Sequence, residues 1–419
     1  MPEGFFNLSD HVDVKPSPSR IPHCGACGLY KRCSSPKMPY SGEGKRKVLI
    51  LGEAPGKNED ERGIQFCGKT GRLLEEVLAQ FDVDMRKDCW LTNSIICHPE
   101  KDRTPSDKEL FYCLPNLVKT IRELKPEIII PLGNRAVKSL LGWLWKDDVE
   151  GIARWDGFQI PCQELNAWIC PTWHPSYILR NREESHQRHD GKVEGRGIEP
   201  LQRFFWEPRL KAAFELKGRP WKEIPDYKSK IKIVLDHKEA AGHIITASCS
   251  ETPIAFDYET NMLKPDSSNA RIVSCSLSNG ALSVSFPWYG EVIPAMKEFL
   301  RSPVPKIGYN QKFEERWTIK EFGHGVRNWV WDGMLAAHVL DNRPSICSME
   351  FQSFILLGVQ DWKVPIKPYL EQKDSNKPNR IKELNLERLL EYGGMDALLE
   401  WEIAMAQRKQ FKETKHEFE

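Results

Sequence analysis

KVLILGEAPGKNEDERGIQFCGKTGRLLEEVLAQF, residues 47–81, reads as a strand, a Gly-rich loop and a helix in succession. KVLIL (47–51) is continuously apolar, as a strand buried on both faces requires. GEAPG (52–56) brings glycine and proline for a tight turn, and GRLLEEVLAQF (71–81) spaces its apolar residues at helical intervals. The pattern recurs downstream: WLTNSII (90–96), EIIIPL (127–132) and WICPT (168–172) are strand-like, and NRAVKSLLGWL (134–144) is helical. Such alternation predicts a parallel four-stranded sheet between helices. NREESHQRHDGKVEGRGIEP (181–200) is polar and predicts a mobile loop, and LQRFFWEPRLKAAFEL (201–216) predicts a closing helix.

KGRPWKEIPDYKSK (217–230) then places two prolines and clustered lysines between periodic segments, as an interdomain linker does. The boundary falls near 220–228, giving domains 1–220 and 221–419. Beyond it the pattern restarts with KIKIVL, PIAFDYET, RIVSCSLSN and ALSVSFPW, followed by mostly helical sequence. That order predicts a mixed five-stranded sheet with helices. No repeat or low-complexity tract interrupts either half.

A chain of 419 residues exceeds one ordinary core, which agrees with two domains. With 40% hydrophobic and 28% charged residues the composition is that of a soluble globular protein and excludes extensive disorder. No apolar run is long enough for a bilayer, and MPEGFFNLSDHVDVKPSPSR lacks the apolar core of a signal peptide. These features predict an intracellular protein without a membrane partner. A net charge of +1 neither favours nor excludes nucleic acid, since a basic groove fits on a neutral whole. Twelve cysteines in a reducing compartment point to metal or cluster ligation more than to disulfides.

The cysteines fall in two pairs. Cys24 and Cys27 form C-x2-C in a Gly-rich turn, and Cys97 and Cys113 flank HPEKDRTPSDKELFY. Four thiolates hold either a [4Fe-4S] cluster or a zinc ion, and buried, unligated cysteines give the same spacing. GEAPG, Asn93 and His174 each follow a predicted strand, at the sheet edge where open α/β folds place ligands. Singly, these are a turn, a helix cap and a loop histidine. Their convergence on one edge argues for a site.

GEAPGKNEDERGIQFCGKTGRLL, TNSIICHPEKDRTPSDKELFYC, IIIPLG and WHPSYILRN, in this order, resemble the family-4 iron-sulfur uracil-DNA glycosylases over about residues 20–216. The resemblance implies a [4Fe-4S] cluster on Cys24, Cys27, Cys97 and Cys113, with Cys33 near but not a ligand. It implies that Glu53 and Ala54 line a uracil pocket, Phe66 stacks on the flipped base, Asn93 reads its edge and His174 faces uracil O2. Extruding a base demands stacking and edge hydrogen bonds, which an aromatic and an amide supply. Bond cleavage leaves negative charge on uracil and positive character on the sugar, so a donor and a carboxylate both lower the barrier. His174 is the donor and either Glu53 or Glu59 the carboxylate. WHPSYILRN would supply residues that wedge into the duplex, with Arg180 or Arg182 for phosphate. Where the family commonly carries Arg-Pro before the stacking aromatic, this chain has Ile64 and Gln65. That departure leaves a second reading of the first half: a DNA-binding module, or a glycosylase for another base.

In the second half Asp257 and Glu259 lie two apart on a predicted strand, so both carboxylates point to one side. Taken alone the pair is a common surface pattern. KIGYNQKFEERW adds Asn310, Lys312 and Glu314 where a short strand meets a helix, and ERLLEYGGMDALLEWEI places Tyr392 and Asp396 four apart on one helix face. Three acidic elements converging would hold a pair of divalent cations for phosphodiester hydrolysis. FDYET, YNQKFE, WDGMLAAHVLD and YGGMD resemble the 3′–5′ exonuclease domain of family-A DNA polymerases over about residues 229–410. The resemblance implies Asp257, Glu259 and Asp396 as ligands of two Mg2+ or Mn2+ ions. It implies Glu314 as a ligand or as a carboxylate behind the ligands, and Tyr392 as the group orienting water or the scissile phosphate. Glu314 departs from the Asp of many relatives, with its charge retained. Asp332 is expected to start a helix rather than to bind metal.

The expectation is therefore an α/β chain of two domains: a uracil-DNA glycosylase-like α/β/α sandwich and an RNase H-like (DnaQ-like) exonuclease fold. Its partners would be DNA with uracil and with free 3′ ends, and a DNA polymerase served in trans, since the sequence stops short of a polymerase palm. A fusion of repair and replication modules suits a phage or virus genome, which places the chain in bacterial or infected-host cytoplasm.

Overall fold

The computed structural model describes residues 24–145, 148–180, 201–371, 374 and 377–417, and the chain divides into two compact units after Lys222. The segment 181–200, expected as a mobile loop, and Arg182 with it lie outside the described residues.

The first unit is built on β1 (Val48–Gly52), β2 (Cys89–Asn93), β3 (Ile128–Pro131), β4 (Ile160–Cys162) and β5 (Ala167–Ile169), in spatial order β2-β1-β3-β5-β4. β1, β2, β3 and β5 are parallel, whereas β4 runs antiparallel to β5. The sheet thus has a fifth strand that the four-strand expectation omitted. β4 is only three residues long and contains Pro161, so its sequence carries no strand period. Every residue of central β1 is buried. Helix α1 (Lys57–Arg62) and α2 (Lys69–Ala79) follow β1, α3 (Asp107–Leu124) follows β2, α4 (Gly133–Leu144) follows β3, and α5 (Leu201–Glu215) closes the unit. Leu74, Val77 and Leu78 of α2 and Trp206 and Leu210 of α5 share one core with Val48, Ile50 and Ile130. Each such side chain contributes about 1.5–3 kcal/mol on burial.

The second unit has a six-stranded sheet of order β11-β10-β7-β8-β9-β6. Its strands are β6 (Ile231–Ile233), β7 (Ile254–Thr260), β8 (Ile272–Ser278), β9 (Ser283–Pro287), β10 (Lys306–Gly308) and β11 (Trp329–Asp332). β8 runs antiparallel to both its neighbours, β7 and β9, while β6, β10 and β11 join in parallel, so the sheet is mixed. The five-strand expectation missed β11, an edge strand whose four residues are all half-buried and whose sequence reads as the lead-in to a helix. The principal helices are α6 (His237–Ala247), α7 (Val292–Arg301), α8 (Lys312–Phe322), α9 (Gly333–Leu340), α10 (Met349–Leu357) and the long α11 (Leu386–Glu417).

The glycine pair of YGGMD sets how closely α11 lies on the sheet. A Cβ on Gly394 would stand 2.6 Å from Ile231 Cγ2, and one on Gly393 would stand 3.0 Å from Ser276 Oγ. The carbonyl of Gly394 also accepts a 2.6 Å hydrogen bond from Ser283 Oγ. Only residues without side chains admit this approach, and it carries Asp396 to the strand that bears Asp257 and Glu259.

Candidate active sites

In the first unit, β1 and β2 pair in register so that Gly52 lies beside Asn93. A Cβ on Gly52 would fall 2.2 Å from Asn93 Oδ1 and 2.9 Å from Phe66 Cζ. Gly52 is therefore the floor on which the amide and the ring meet. Asn93 is 4% exposed, and its Nδ2 donor has no hydrogen-bond partner among the described residues. A buried orphan donor costs about 1–3 kcal/mol unless something accepts from it, which marks the position as one that awaits an acceptor.

Phe66 is held in a left-handed conformation, φ 53°, that a bulky residue does not adopt unaided. Glu59 does the holding: its carboxylate accepts from the backbone N–H of Phe66 and, at 2.7 Å, from that of Gly56. Arg86 adds a 3.1 Å hydrogen bond to the Phe66 carbonyl. Both oxygens of Glu59 are thus engaged in bracing the loop, and burial raises its pKa. Glu53, whose carboxylate makes no hydrogen bond among the described residues, is the freer of the two acids; burial raises its pKa, against Arg135 and Arg180. Gln65, buried at 1%, ties its amide to the Pro39 carbonyl, and Ile64 is exposed.

His174 enters because Gly133, φ 80°, starts α4 directly beneath it; a Cβ there would stand 2.8 Å from His174 Cβ. The backbone N–H of Ser176 donates to His174 Nδ1 at 3.2 Å, and Ser176 Oγ lies 2.8 Å away. An Nδ1 that accepts leaves the ring proton on Nε2. Burial, with Arg180 nearby, pushes the His174 pKa down to about 4, so the ring is neutral at pH 7. In the following helical segment, 175–180, Ile178 is in the core, and Tyr177 stacks on Trp173 with ring centroids 4.5 Å apart.

Cys97 is buried and Cys27, Cys33, Ala54 and Cys113 pack against the same cluster of Leu29, Ile95, Ile96 and Leu110. Cys24 is near enough to Cys113 to raise its pKa. All these cysteines are free thiols. Burial and the neighbouring sulfurs push Cys97 up to about 12 and Cys113 up to about 11, values at which bare thiols stay protonated. Lys37 N–H donates to Cys97 Sγ at 3.3 Å. Two devices fix the surrounding chain. Asp60 of α1 accepts from the N–H groups of Ser34 and Ser35, each at 2.8 Å. Ser106 and Glu109 form a capping box that starts α3, the helix of Cys113. Hydrogen bonds from Arg103 hold the Glu109 pKa down to about 2.

In the second unit, one oxygen each from Asp257, Glu259 and Asp396 lie within 4.8 Å of one another. Burial raises all three pKa values; Asp257, also repelled by Asp396, is pushed up to about 7. Tyr392 hydrogen-bonds Asp396 from one helical turn away. Glu314 on α8 is outside this tight trio. It is 2% exposed with Oε2 unpartnered among the described residues. Asp332 caps α9 through the N–H groups of Met334 and Leu335 and clamps the N–H groups of Asn310 and Gln311 at 3.2 and 3.0 Å. It thereby positions the start of α8 and Glu314.

Three residues escape the sequence motifs. Glu400, one turn beyond Asp396, is 2% exposed, has an unpartnered Oε2 and faces Asp257, Glu314 and Asp396. Its i+4 spacing from Asp396 was a usable signal. Trp362 and Lys363, which both contact Asp396, lie in a loop with no pattern to announce them.

A ring and a side-chain amide that meet over Gly52 in the first unit, and a trio of carboxylates in the second, give the chain two separate candidate sites. Residues 39–194 match the uracil DNA glycosylase superfamily, and residues 232–411 match a 3′–5′ exonuclease family. The chain is 36% identical over 174 residues to a type-4 uracil-DNA glycosylase of Pyrobaculum aerophilum, covering 40% of this chain and 86% of that protein. It is 31% identical over 159 residues to that of Saccharolobus solfataricus, covering 38% and 73%. A DNA polymerase of Bacillus phage SP01 is 24% identical over 327 residues, covering 73% of this chain and 34% of the polymerase. The chain thus spans about a third of that relative. Through its first unit the chain belongs to the type-4 uracil-DNA glycosylases, and its second unit is a 3′–5′ exonuclease domain.

Proposed function

We propose that this chain excises uracil from DNA with its first unit and removes nucleotides from DNA 3′ ends with its second. The observation that carries the first activity is a neutral His174 with its proton on Nε2, on the same sheet edge as Asn93 and Phe66. Phe66 stacks on the extruded base, and the orphan Nδ2 of Asn93 donates to its edge. As the glycosidic bond lengthens, negative charge grows on uracil O2, and Nε2–H of His174 stabilises it without a proton transfer. Glu53 faces the sugar, where its carboxylate orients water and offsets the positive character there. Glu59 serves indirectly, by holding Phe66.

Cys24, Cys27, Cys97 and Cys113 suit a [4Fe-4S] cluster. The raised pKa values of Cys97 and Cys113 call for iron to ionise those sulfurs, and an N–H donor already points at Cys97. The cluster supplies structure here, tying residues 24–37 to α3. Cys33 belongs to the surroundings. Broad visible absorbance of the brown purified protein tests for the cluster, and colourless protein holding zinc would replace it with a structural zinc site.

The trio Asp257, Glu259 and Asp396 carries the second activity, because three carboxylates so close, two of them buried and Asp257 half-buried, repel one another unless cations join them. Two Mg2+ or Mn2+ ions held there would activate water and stabilise the leaving oxygen. Glu314 stands behind the ligands, and the phenol of Tyr392, its pKa raised by burial, donates toward water or phosphate. Leu263, Lys312, Phe313 and Arg316 line a neighbouring cleft with the apolar and cationic groups that bases and phosphates need.

DNA with uracil and with free 3′ ends is the substrate, and a polymerase served in trans is the partner suggested by the phage relative. Among the described residues no helix is long and apolar enough to cross a membrane. The deciding experiment is an activity panel on uracil-containing single- and double-stranded DNA, with and without Mg2+. Uracil release without added metal and 3′ nucleotide release only with it are expected. No uracil release by cluster-loaded protein would reduce the first unit to a DNA-binding module or a glycosylase for another base.

A further inference from the structure

Both oxygens of Asp396 have a donor beside them. Its Oδ1 accepts from the indole Nε1 of Trp362, and its Oδ2 lies 3.4 Å from the ammonium of Lys363. Tyr392 donates to Asp396 as well, from one turn away on α11. Trp362 and Lys363 are adjacent in the loop between α10 and α11, and they differ in freedom. Trp362 is 8% exposed and shares a core with Ile366, Tyr392 and Met395. The Lys363 ammonium sits at the end of a flexible four-carbon stem. A second acid, Glu350 of α10, also lies 3.4 Å from that ammonium, and the Tyr392 ring centroid lies 6.0 Å from it. Asp257, Glu259 and Glu350 are the further charged groups that face it.

A divalent ion ligated by Asp396 shares its oxygens with these donors, and the ammonium is the one that carries a full charge and can move on a flexible stem. Like charges also repel: an ammonium one carboxylate away from a doubly charged ion opposes that ion's binding. Once displaced, Lys363 stays tethered beside Glu350 and Tyr392, the latter being the residue read above as donating toward water or phosphate. Resting on the metal-site reading above, we propose that Lys363 is a further working residue of the exonuclease site. It neutralises Asp396 in the metal-free protein, yields that carboxylate to the divalent ion, and then holds a nonbridging oxygen of the 3′-terminal phosphodiester.

The test is Mn2+ binding to the full chain, read by electron paramagnetic resonance of free Mn2+ without DNA, alongside nucleotide release from a single-stranded 3′ end at saturating Mn2+. Lys363→Met should bind Mn2+ at least threefold more tightly and lose at least tenfold in kcat/KM. Lys363→Arg should stay within about threefold of the parent in both, because it keeps the charge. Unchanged or weaker Mn2+ binding by Lys363→Met would overturn the counter-cation role, and an unchanged kcat/KM would overturn the phosphate contact. If Lys363→Met does not fold, Lys363→Gln, which keeps a donor toward Asp396 and loses only the charge, gives the same comparison. Asp257→Ala keeps the two questions apart: Mn2+ binding equal in parent and Asp257→Ala would remove the metal site itself, whatever Lys363 does.

Discussion

At the scale of single residues, the first site depends on one absent side chain and one absent proton. Gly52→Ala would drive a methyl group into Asn93 Oδ1 and Phe66, so uracil excision should fall about a hundredfold or more while the visible spectrum of the cluster stays unchanged. Loss of the spectrum would show instead that the strand itself had been disrupted. His174 sets a pH limit. Its pKa is depressed in the folded protein to about 4, so the neutral donor is present above that value and is lost as pH falls through it. Excision rates should therefore show no His174 titration between pH 6 and pH 9, read from single-turnover kinetics, and an inflection near pH 6.5 would place the ring in water. His174→Ala should cost on the order of a hundredfold to a thousandfold, the range for removing one preorganised donor. In the second site the sign is reversed: the buried acids have raised pKa values, so their charges work against the metal-free fold. Asp257→Asn removes one charge from that trio and should raise the metal-free melting temperature by a few degrees, equivalent to about 1–2 kcal/mol, while losing the stabilisation that Mn2+ gives the parent.

At the scale of elements, helix starts do much of the positioning. The Ser106–Glu109 capping box fixes α3 and hence Cys113, and Asp332 fixes α9 while clamping the turn into α8. Glu109→Gln should destabilise the first unit by about 1–2 kcal/mol and speed cluster loss on exposure to chelator, followed by visible absorbance. Because Arg103 depresses the Glu109 pKa, this brace is complete above the usual value of 4.5 and is lost as pH falls toward about 2. Elements like these were legible in the sequence because their signals are local: apolar runs for β1 and β3, two acids on alternate strand positions, and Tyr and Asp four apart. β4 and β11 were illegible for equally physical reasons, one being too short to show a period and the other running straight into the helix that Asp332 caps. The bracing of Phe66 by Glu59 and the grip of Trp362 and Lys363 on Asp396 also escaped, since each joins residues that no spacing rule relates. The role of glycine in YGGMD was likewise invisible until the helix was seen lying on Ile231 and Ser276.

At the scale of the whole molecule, the two heads use different chemistry and so should fail separately. Asn93→Ala removes the amide from the base pocket and touches no carboxylate of the second unit, so uracil release should drop on the order of a hundredfold while metal-dependent 3′ trimming is retained. Asp257→Ala should do the converse, and a chelator of divalent ions should reproduce the loss of trimming with excision kept within about twofold. Joining both activities in one chain adds a kinetic term that neither head has alone. After one head acts, the tether holds the other near the same strand at a raised effective concentration. An equimolar mixture of the Asn93→Ala and Asp257→Ala chains contains one working copy of each head without that tether. On separate substrates, one with uracil and one with only a free 3′ end, the mixture should match the parent at the same number of working sites. On one strand carrying both a uracil and a free 3′ end, supplied in excess over protein, the parent should yield doubly processed product faster than the mixture, with the advantage shrinking as protein concentration rises. Equal time courses at every concentration would mean that the heads share a chain but not a substrate encounter.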